Sequence, residues 1–253
     1  MPHRAENEVP NQNQPAKNPV IYNLYPITLL KTPGKATIAR KPKSTSTPTN
    51  RAGDSATSTI RIIGGKLRGQ TIQYSGDART RPMKDRVREA TFNLVGPAIK
   101  KRLVIDLFAG TGAIGLEALS RGASQAILLE QHFPTARLIE QNVTSLKLDE
   151  QVEVIGTDTF YWVKHRMPKH EFVTGNTPWV VFCSPPYLFY TERWTDMEQL
   201  IQTICKLAPP QSLLVLETDQ HLDLTNLPCP DEWDIRNYPP AVLGILTIQN
   251  NAD

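Results

Sequence analysis

The feature that most constrains the fold is a glycine-rich turn between an apolar segment and a helical one. Residues 103–108 are apolar except for Asp106, and they lead directly into Gly110, Gly112 and Gly115. Glycines in such a turn let the backbone reverse sharply and approach a ligand closely, while a following helix N-terminus presents free N–H groups. The segment therefore predicts a strand, a ligand-binding loop and a helix, in that order.

The rest of the chain repeats this pattern of strand and helix. The predicted strands are residues 103–108, 126–130, 152–155, 179–183 and 212–217, and the predicted helices are residues 113–121, 135–146, 159–164 and 197–207. Such alternation predicts a mostly parallel sheet covered by helices on both faces, which is a Rossmann-like α/β fold. Residues 233–238 and 242–248 predict a closing antiparallel pair.

Two further segments precede this core. Residues 1–59 contain eight prolines and little periodicity, so we expect a disordered tail that cannot bury enough apolar surface to offset the entropy of ordering. We expect residues 60–253 to form one domain. At its start, residues 60–63 and 67–73 predict a small β-hairpin, and residues 84–95 predict a helix.

Charge is distributed unevenly along the chain. Residues 60–102 carry eleven Lys and Arg against three Asp and Glu, whereas residues 103–253 carry nine against nineteen. A polyanion would therefore be attracted to the segment just before the acidic body. The cysteines are too widely spaced for a disulfide framework or a zinc site, and no apolar run approaches the roughly 18 residues of a membrane span. Without a recognisable signal peptide, we expect a cytoplasmic protein with no metal and no membrane partner.

The glycine loop by itself is compatible with two cofactors. It matches the Gly-x-Gly-x-x-Gly dinucleotide fingerprint, and Glu130 at the end of the next strand could accept hydrogen bonds from ribose hydroxyls. Asp106 favours S-adenosylmethionine over a nicotinamide dinucleotide. A carboxylate beside the loop would repel a pyrophosphate, but it would attract the ammonium group and tolerate the sulfonium of S-adenosylmethionine.

A second motif follows the fourth strand, where Ser184, Pro185, Pro186 and Tyr187 predict a rigid turn. The prolines lack N–H donors, so carbonyl oxygens and the Ser184 hydroxyl would line a pocket with acceptors. Acceptors that hold the hydrogens of an exocyclic base amine favour its pyramidal form and free its lone pair for attack on a methyl group. Tyr187 would stack on a flipped base. Because both motifs follow parallel strands, they should open on one crevice.

These motifs belong to longer blocks that resemble a known family. The blocks are RIIGGKLRG from Arg61, RPMKDRVREATFN from Arg81, DLFAGTGAIGLEALSRG from Asp106, and the later PPY turn. With them, residues 60–248 resemble the RsmD family, bacterial methyltransferases that modify the N2 amino group of a guanine in 16S ribosomal RNA. The resemblance implies a class I S-adenosylmethionine-dependent methyltransferase fold, a role in rRNA processing, and ribosomal RNA or the small ribosomal subunit as partner.

Matching positions in the family imply roles for the site residues. Four residues of the glycine block are expected to bind the cofactor, mostly at its methionine part: Asp106, Phe108, Gly110 and Gly112. Glu130 would hold the ribose, and residues 184–187 would form the amine pocket. Asp158 would meet the adenine amino group, or it could cap the short helix that follows it, and the two roles are compatible.

The chain departs from the family at Ser184, where the family usually has aspartate. A neutral hydroxyl cannot stabilise positive charge on the amine as a carboxylate would. Serine occurs there in enzymes that methylate cytosine N4 in DNA, so a DNA amino methyltransferase acting on cytosine N4 or adenine N6 is one alternative. A catalytically silent RNA-binding protein on the same fold is another. Glu217, at the end of the fifth strand, could be structural or could line the crevice, and neither interpretation is preferred.

The basic segment has two interpretations. It could be a solvated face, or it could contact RNA phosphates, which arginine side chains suit well. Its position beside a base-modifying motif favours RNA. The residues expected to bind RNA are Arg61, Lys66, Arg68, Arg81 and Lys84. Arg86 and Arg88 lie on different faces of the predicted helix, so one of them could turn inward.

Overall fold

The structure is a computed structural model that describes residues 58–76, 80, 82–171, 173, 175–228 and 232–249. The predicted tail, residues 1–59, lies outside the described residues except for its last two, which begin the first strand. The strands are β1 (Ser58–Arg61), β2 (Thr71–Tyr74), β3 (Leu103–Asp106), β4 (Gln125–Glu130), β5 (Val152–Gly156), β6 (Trp179–Cys183), β7 (Leu213–Asp219), β8 (Trp233–Tyr238) and β9 (Ala241–Thr247). The helices are α1 (Asp85–Val95), α2 (Ala113–Ser120), α3 (Phe133–Ser145), α4 (Thr159–His165), α5 (Phe189–Glu192) and α6 (Trp194–Leu207).

The alternating segment forms one seven-stranded sheet, with the strand order β5-β4-β3-β6-β7-β9-β8. Strands β3 to β7 run parallel, whereas β9 is antiparallel to both β7 and β8. The predicted parallel sheet and its closing antiparallel pair are therefore confirmed. Strand β3 lies between β4 and β6, so the chain order reverses beside it. Ligands of open α/β sheets bind at such a reversal, outside the carboxyl ends of the strands.

Helices cover both faces of this sheet. One apolar cluster packs α4 and α6 against it, and a second packs α1, α2, α3 and the β1–β2 hairpin against the opposite face. Helix α2 is buried along its whole length. A Cβ at Gly115 would lie 2.1 Å from Cδ2 of Leu128 on β4. The third glycine of the loop is therefore needed to pack α2 on the sheet.

A buried ion-pair network joins the hairpin and α1 to α2. Glu117 is fully buried, and its carboxylate accepts hydrogen bonds from Nε of Arg88 at 2.8 Å and from Nη2 of Arg121 at 2.7 Å. Arg88 also donates to the backbone carbonyl of Arg61 in the hairpin, at 2.7 Å. Of the two arginines considered on α1, Arg88 is thus the one that turns inward, while Arg86 is exposed.

Several elements begin or end up to three residues away from their predicted bounds, and two differences are larger. The second hairpin strand is shorter than predicted, because residues 66–69 form the turn and only Thr71–Tyr74 pairs with β1. Helix α5 was not predicted. It has only four residues, too few to show a helical period in the sequence.

Candidate active site

A crevice of about 740 Å³ opens at the carboxyl edge of the sheet. This volume is within the range of about 300–1,000 Å³ that is usual for ligand pockets. The predicted site residues that line it are Lys84, Asp106, Phe108, Gly110, Glu130, Asp158, Ser184, Pro185, Pro186 and Tyr187. The fold therefore brings the glycine loop and the proline turn, which lie about seventy residues apart in the chain, onto one cavity.

Asp106 is the most buried charged group of this crevice, with 3% of its surface exposed. Its carboxylate accepts hydrogen bonds from the backbone amides of Phe108 and Gly115, but Oδ2 has no hydrogen-bond partner among the described residues. Burial raises the pKa of Asp106 to about 7, and the Glu130 carboxylate contributes to the rise. A buried acceptor without a partner is costly, so the site favours a cationic donor at this oxygen.

The glycine loop owes its shape to backbone conformation and to Glu130. Gly110 and Gly112 have φ values of 54° and 76°, in the left-handed region. The Gly110 amide donates to Oε2 of Glu130 at 2.9 Å, and the His132 amide donates to Oε1 at 2.7 Å. Gly112 is not among the lining residues: it is the N-cap residue just before α2, where a Cβ would lie 2.9 Å from Ile139. Its contribution is conformational.

Asp158 caps helix α4, since its Oδ1 accepts a hydrogen bond from the Tyr161 amide at 2.8 Å. The capping role considered for this residue is thus confirmed. Its Oδ2 lies 3.8 Å from Nη1 of Arg193, and the residue also lines the crevice. The adenine contact stays a prediction.

Three aromatic rings form an apolar wall next to Asp158. Phe108 lies edge-on to Phe160 and Phe189, at centroid distances of 5.9 and 6.1 Å. Cζ of Arg193 lies 4.0 Å from the centroid of the Phe160 ring. All three rings line the crevice, and only Phe108 was predicted. The other two lie in short helices that belong to no recognisable motif, so the sequence offered no signal for them.

The proline turn is tied to a carboxylate on the neighbouring strand. Ser184 is half-buried, and it follows β6 directly beside Glu217 on the paired strand β7. The Tyr187 hydroxyl donates to Oε1 of Glu217 at 3.2 Å. Burial raises the pKa of Glu217, and hydrogen bonding from the hydroxyls of Ser184 and Tyr187 opposes the rise. Glu217 lines the crevice, and its place at the carboxyl end of a parallel strand was the signal that could have identified it.

The basic residues lie mostly outside the crevice. Lys84 is exposed and lines the rim, whereas the exposed side chains of Arg61, Lys66 and Arg68 are on the hairpin and are not among the lining residues. Arg81 lies outside the described residues. Contact of these residues with RNA therefore stays a prediction.

Two kinds of site do not occur in the described part of the chain. No helix there is both long and apolar enough to cross a membrane. The same residues contain no group of three or more His, Cys, Asp or Glu side chains placed to hold a metal ion.

Comparisons with known proteins relate the chain to a family and to a fold. The family model described as Conserved hypothetical protein 95 matches residues 60–238. Over 179 residues the chain is 32% identical to Ribosomal RNA small subunit methyltransferase D of Haemophilus influenzae, a match that covers 70% of this chain and 86% of that protein.

Two solved structures have a similar fold. That of Escherichia coli yhhF is 27% identical with a TM-score of 0.61, and the match covers 76% of this chain and 99% of that one. A Thermus thermophilus 16S rRNA N2 methyltransferase, solved with AdoMet and guanosine, has a TM-score of 0.56 at 15% identity, covering 77% of this chain and 50% of that one. The second likeness supports the fold alone.

Proposed function

The chain belongs to the RsmD family, whose model matches residues 60–238, and from this premise we propose that it methylates the N2 amine of a guanine in 16S ribosomal RNA with S-adenosylmethionine. The observation that carries the proposal is that Asp106 and the turn of residues 184–187 line one crevice. A cationic cofactor and an amine substrate can therefore meet there. The name of the Haemophilus influenzae relative supports ribosomal RNA as the substrate.

The residues of the crevice fit S-adenosylmethionine. Oδ2 of Asp106, which lacks a partner among the described residues, can accept from the ammonium group of the methionine part. Glu130 can accept from the ribose hydroxyls, and Asp158 from the adenine amino group, beside the aromatic wall. When bound, S-adenosylmethionine supplies a methyl group activated by a positively charged sulfur. A nicotinamide dinucleotide fits less well, because its pyrophosphate would face the carboxylates of Asp106 and Glu130.

The proline turn is suited to hold the target amine. Proline nitrogens cannot donate, so the polar atoms at the turn are mostly acceptors. Acceptors match the two hydrogens of an exocyclic amine and leave its lone pair directed at the methyl group. The Tyr187 ring is 37% exposed and can stack on a base that has left its helix, which enzymes acting on bases require.

The exposed basic residues of the hairpin and of the start of α1 are proposed to hold the RNA backbone. They lie on the segment that carries most of the positive charge, and Lys84 reaches the crevice rim. Phosphate contacts of this kind would position the RNA without selecting its sequence. Selection of the guanine would belong to the crevice.

The proposal is tested by transfer of labelled methyl groups from S-adenosylmethionine to 30S subunits, to free 16S rRNA and to double-stranded DNA. We expect label in the ribosomal substrates and none in DNA, because the family acts on ribosomal RNA. Label in DNA alone would favour the DNA amino methyltransferase suggested by Ser184. Binding of rRNA without any label would favour the silent RNA-binding protein.

A double charge reversal tests the basic residues in the same assay. Lys66→Glu with Arg68→Glu should weaken RNA binding. It should also lower the magnitude of the slope of log K against log salt concentration by about 1–2, because fewer counterions are released on binding. Affinity for S-adenosylhomocysteine should not change. The matched control is Lys206→Glu, an exposed lysine on α6. If the double variant bound RNA as tightly as this control, the basic segment would be a solvated face.

A further inference from the structure

Ser184 and Glu217 occupy equivalent places on two neighbouring strands. Strands β6 and β7 pair in parallel with Cys183 opposite Leu216. The next residues along the chain are Ser184, directly after the end of β6, and Glu217 on β7. They meet at the carboxyl edge of the sheet. The strand register therefore places the two side chains beside each other, in position for a hydrogen bond from the Ser184 hydroxyl to the Glu217 carboxylate that would lower the pKa of Glu217.

This hydrogen bond determines what Ser184 presents to the crevice. An ionised carboxylate can only accept hydrogen bonds, and a serine hydroxyl has a single hydrogen to donate. When the Ser184 hydroxyl donates this hydrogen to Glu217, its oxygen lone pairs remain for a donor in the crevice. A hydroxyl that donates to a carboxylate is also polarised into a stronger acceptor.

We propose that Glu217, acting through Ser184, supplies the carboxylate that the family usually carries at position 184 and receives the proton that the amine loses. The inference rests on the proposed function and deepens it. Glu217 is then a positioning residue, because it orients the Ser184 hydroxyl as an acceptor toward the amine. It also provides negative charge behind the Ser184 hydroxyl, two hydrogen bonds from the reacting nitrogen.

The proposed transfer balances in atoms and charge. The bond between the amine nitrogen and the methyl carbon forms while the bond from that carbon to sulfur breaks, and its electron pair stays on sulfur. The nitrogen, now positive, loses one N–H bond, and this proton passes to Oγ of Ser184 as the hydroxyl proton of Ser184 passes to Glu217. A neutral methylated amine and a neutral carboxylic acid remain, and the acid returns its proton to water before the next turnover.

The surroundings of Glu217 suit this role. The titratable groups around Glu217 are Tyr187 in the turn and Tyr190 on α5, whose hydroxyl donates to the Glu217 backbone carbonyl at 2.9 Å. Cys183 and Asp219 lie close to Tyr190, and Asp106 and Lys84 line the same crevice. Strand β9 presents Leu243 opposite Glu217. Burial raises the pKa of the Cys183 thiol and of Tyr190, so both stay neutral. Burial also raises the pKa of Glu217 itself, which makes it a better proton acceptor than an exposed glutamate.

The first test follows the carboxyl carbon of Glu217 by carbon-13 NMR during a pH titration and needs no catalysis. Ser184→Ala should move the titration midpoint of Glu217 upward, because the lost hydrogen bond stabilised the ionised form. The control is Ser124→Ala, which removes an exposed hydroxyl bonded to the carbonyl of Arg102 and should leave the midpoint unchanged. An unchanged midpoint in Ser184→Ala would overturn the coupling of the two residues.

The second test is single-turnover methylation of 30S subunits across pH by four proteins: wild type, Glu217→Gln, Ser184→Asp and the double variant. Glu217→Gln should slow the wild-type reaction by about tenfold or more and remove the acidic limb of its pH profile. With aspartate at position 184, Glu217→Gln should lower the single-turnover rate by less than about threefold, since a carboxylate then faces the amine directly. An equal loss in both backgrounds would make the effect of Glu217 structural and would contradict the proposal.

The two tests separate this inference from the proposed function. If wild-type protein methylated none of the substrates, the proposed function and the proton transfer would both fall. The carbon-13 titration would still decide whether Ser184 and Glu217 are coupled.

Discussion

Burial raises the pKa of three carboxylates at the crevice, those of Asp106, Glu130 and Glu217. The folded protein therefore binds protons at these groups more tightly than the unfolded chain does. By linkage, their contribution to the free energy of unfolding decreases as pH rises toward 7, since the unfolded chain then holds fewer protons than the native state. A cationic ligand that pairs with the ionised form of one of these carboxylates stabilises the native state and so offsets this decrease in the free energy of unfolding.

Asp106 leads to a prediction about cofactor binding. Its pKa is about 7 in the free protein, and a bound cation favours the carboxylate. The affinity for S-adenosylhomocysteine should therefore rise about tenfold between pH 6 and pH 8 and level off above that. Calorimetric titration at several pH values measures this. The Asp106→Asn variant should bind S-adenosylhomocysteine weakly, and its affinity should not show this rise with pH. The titration of the ligand's own amine affects the wild-type protein and the variant equally. The same pH dependence in both proteins would contradict a contact with Asp106.

At the residue scale, the sequence predicted those site residues that belong to a motif at a strand end. Asp106 and Ser184 follow apolar strands, and the rule for parallel sheets was enough to place them on one crevice. The hydrogen bonding of Glu217 and the packing of Phe160 could not be predicted in this way. Their roles depend on which strands are neighbours and on how short helices pack, and neither is encoded in a local pattern.

At the scale of elements, the hairpin and α1 depend on a side chain of α2. The carboxylate of Glu117 accepts hydrogen bonds from two arginines and from the Ile63 amide at 3.3 Å. Ser120 adds a second attachment, since its hydroxyl donates to the Gly64 carbonyl at 2.6 Å and accepts from the Leu67 amide at 2.8 Å. The hairpin, which carries much of the basic surface, is therefore held on a buried helix.

Removing Arg88 tests this attachment. Arg88→Ala leaves the buried Glu117 with one of its two cations, so it should lower the free energy of unfolding by about 3–5 kcal/mol. Amide exchange at Ile63 should accelerate as well. Arg86→Ala, an exposed neighbour on the same helix, should change stability by less than about 0.5 kcal/mol. Denaturant unfolding checks both, and similar values for the two variants would show that the network does not hold the hairpin.

Most elements could be predicted from the sequence, because their apolar periods are regular. All five parallel strands occur close to their expected bounds. What could not be predicted is which elements pack against one another and through which side chains. Glu117 is one acid in a helix of apolar and small residues, and only the packing of α1 and the hairpin above it shows that it is a buried counter-ion.

At the scale of the whole molecule, charge and topology act together. The basic residues precede the acidic body in the chain, and the reversal of strand order beside β3 places the crevice where the first parallel strand ends. An RNA attracted to the basic segment would therefore meet the turn of residues 184–187, whose acceptors line a pocket. The buried carboxylate of Asp106, which suits a cation, lines the same crevice. This arrangement suits transfer of a methyl group from a cationic cofactor to a nucleobase amine.

The most direct measurement of this central claim is mass spectrometry of the nucleosides released from 16S rRNA after reaction of 30S subunits with the protein and S-adenosylmethionine. The account predicts N2-methylguanosine, formed by the wild-type protein and strongly reduced with Asp106→Asn. Methylated adenosine or cytidine, or no methylated nucleoside with an active cofactor-bound protein, would contradict it.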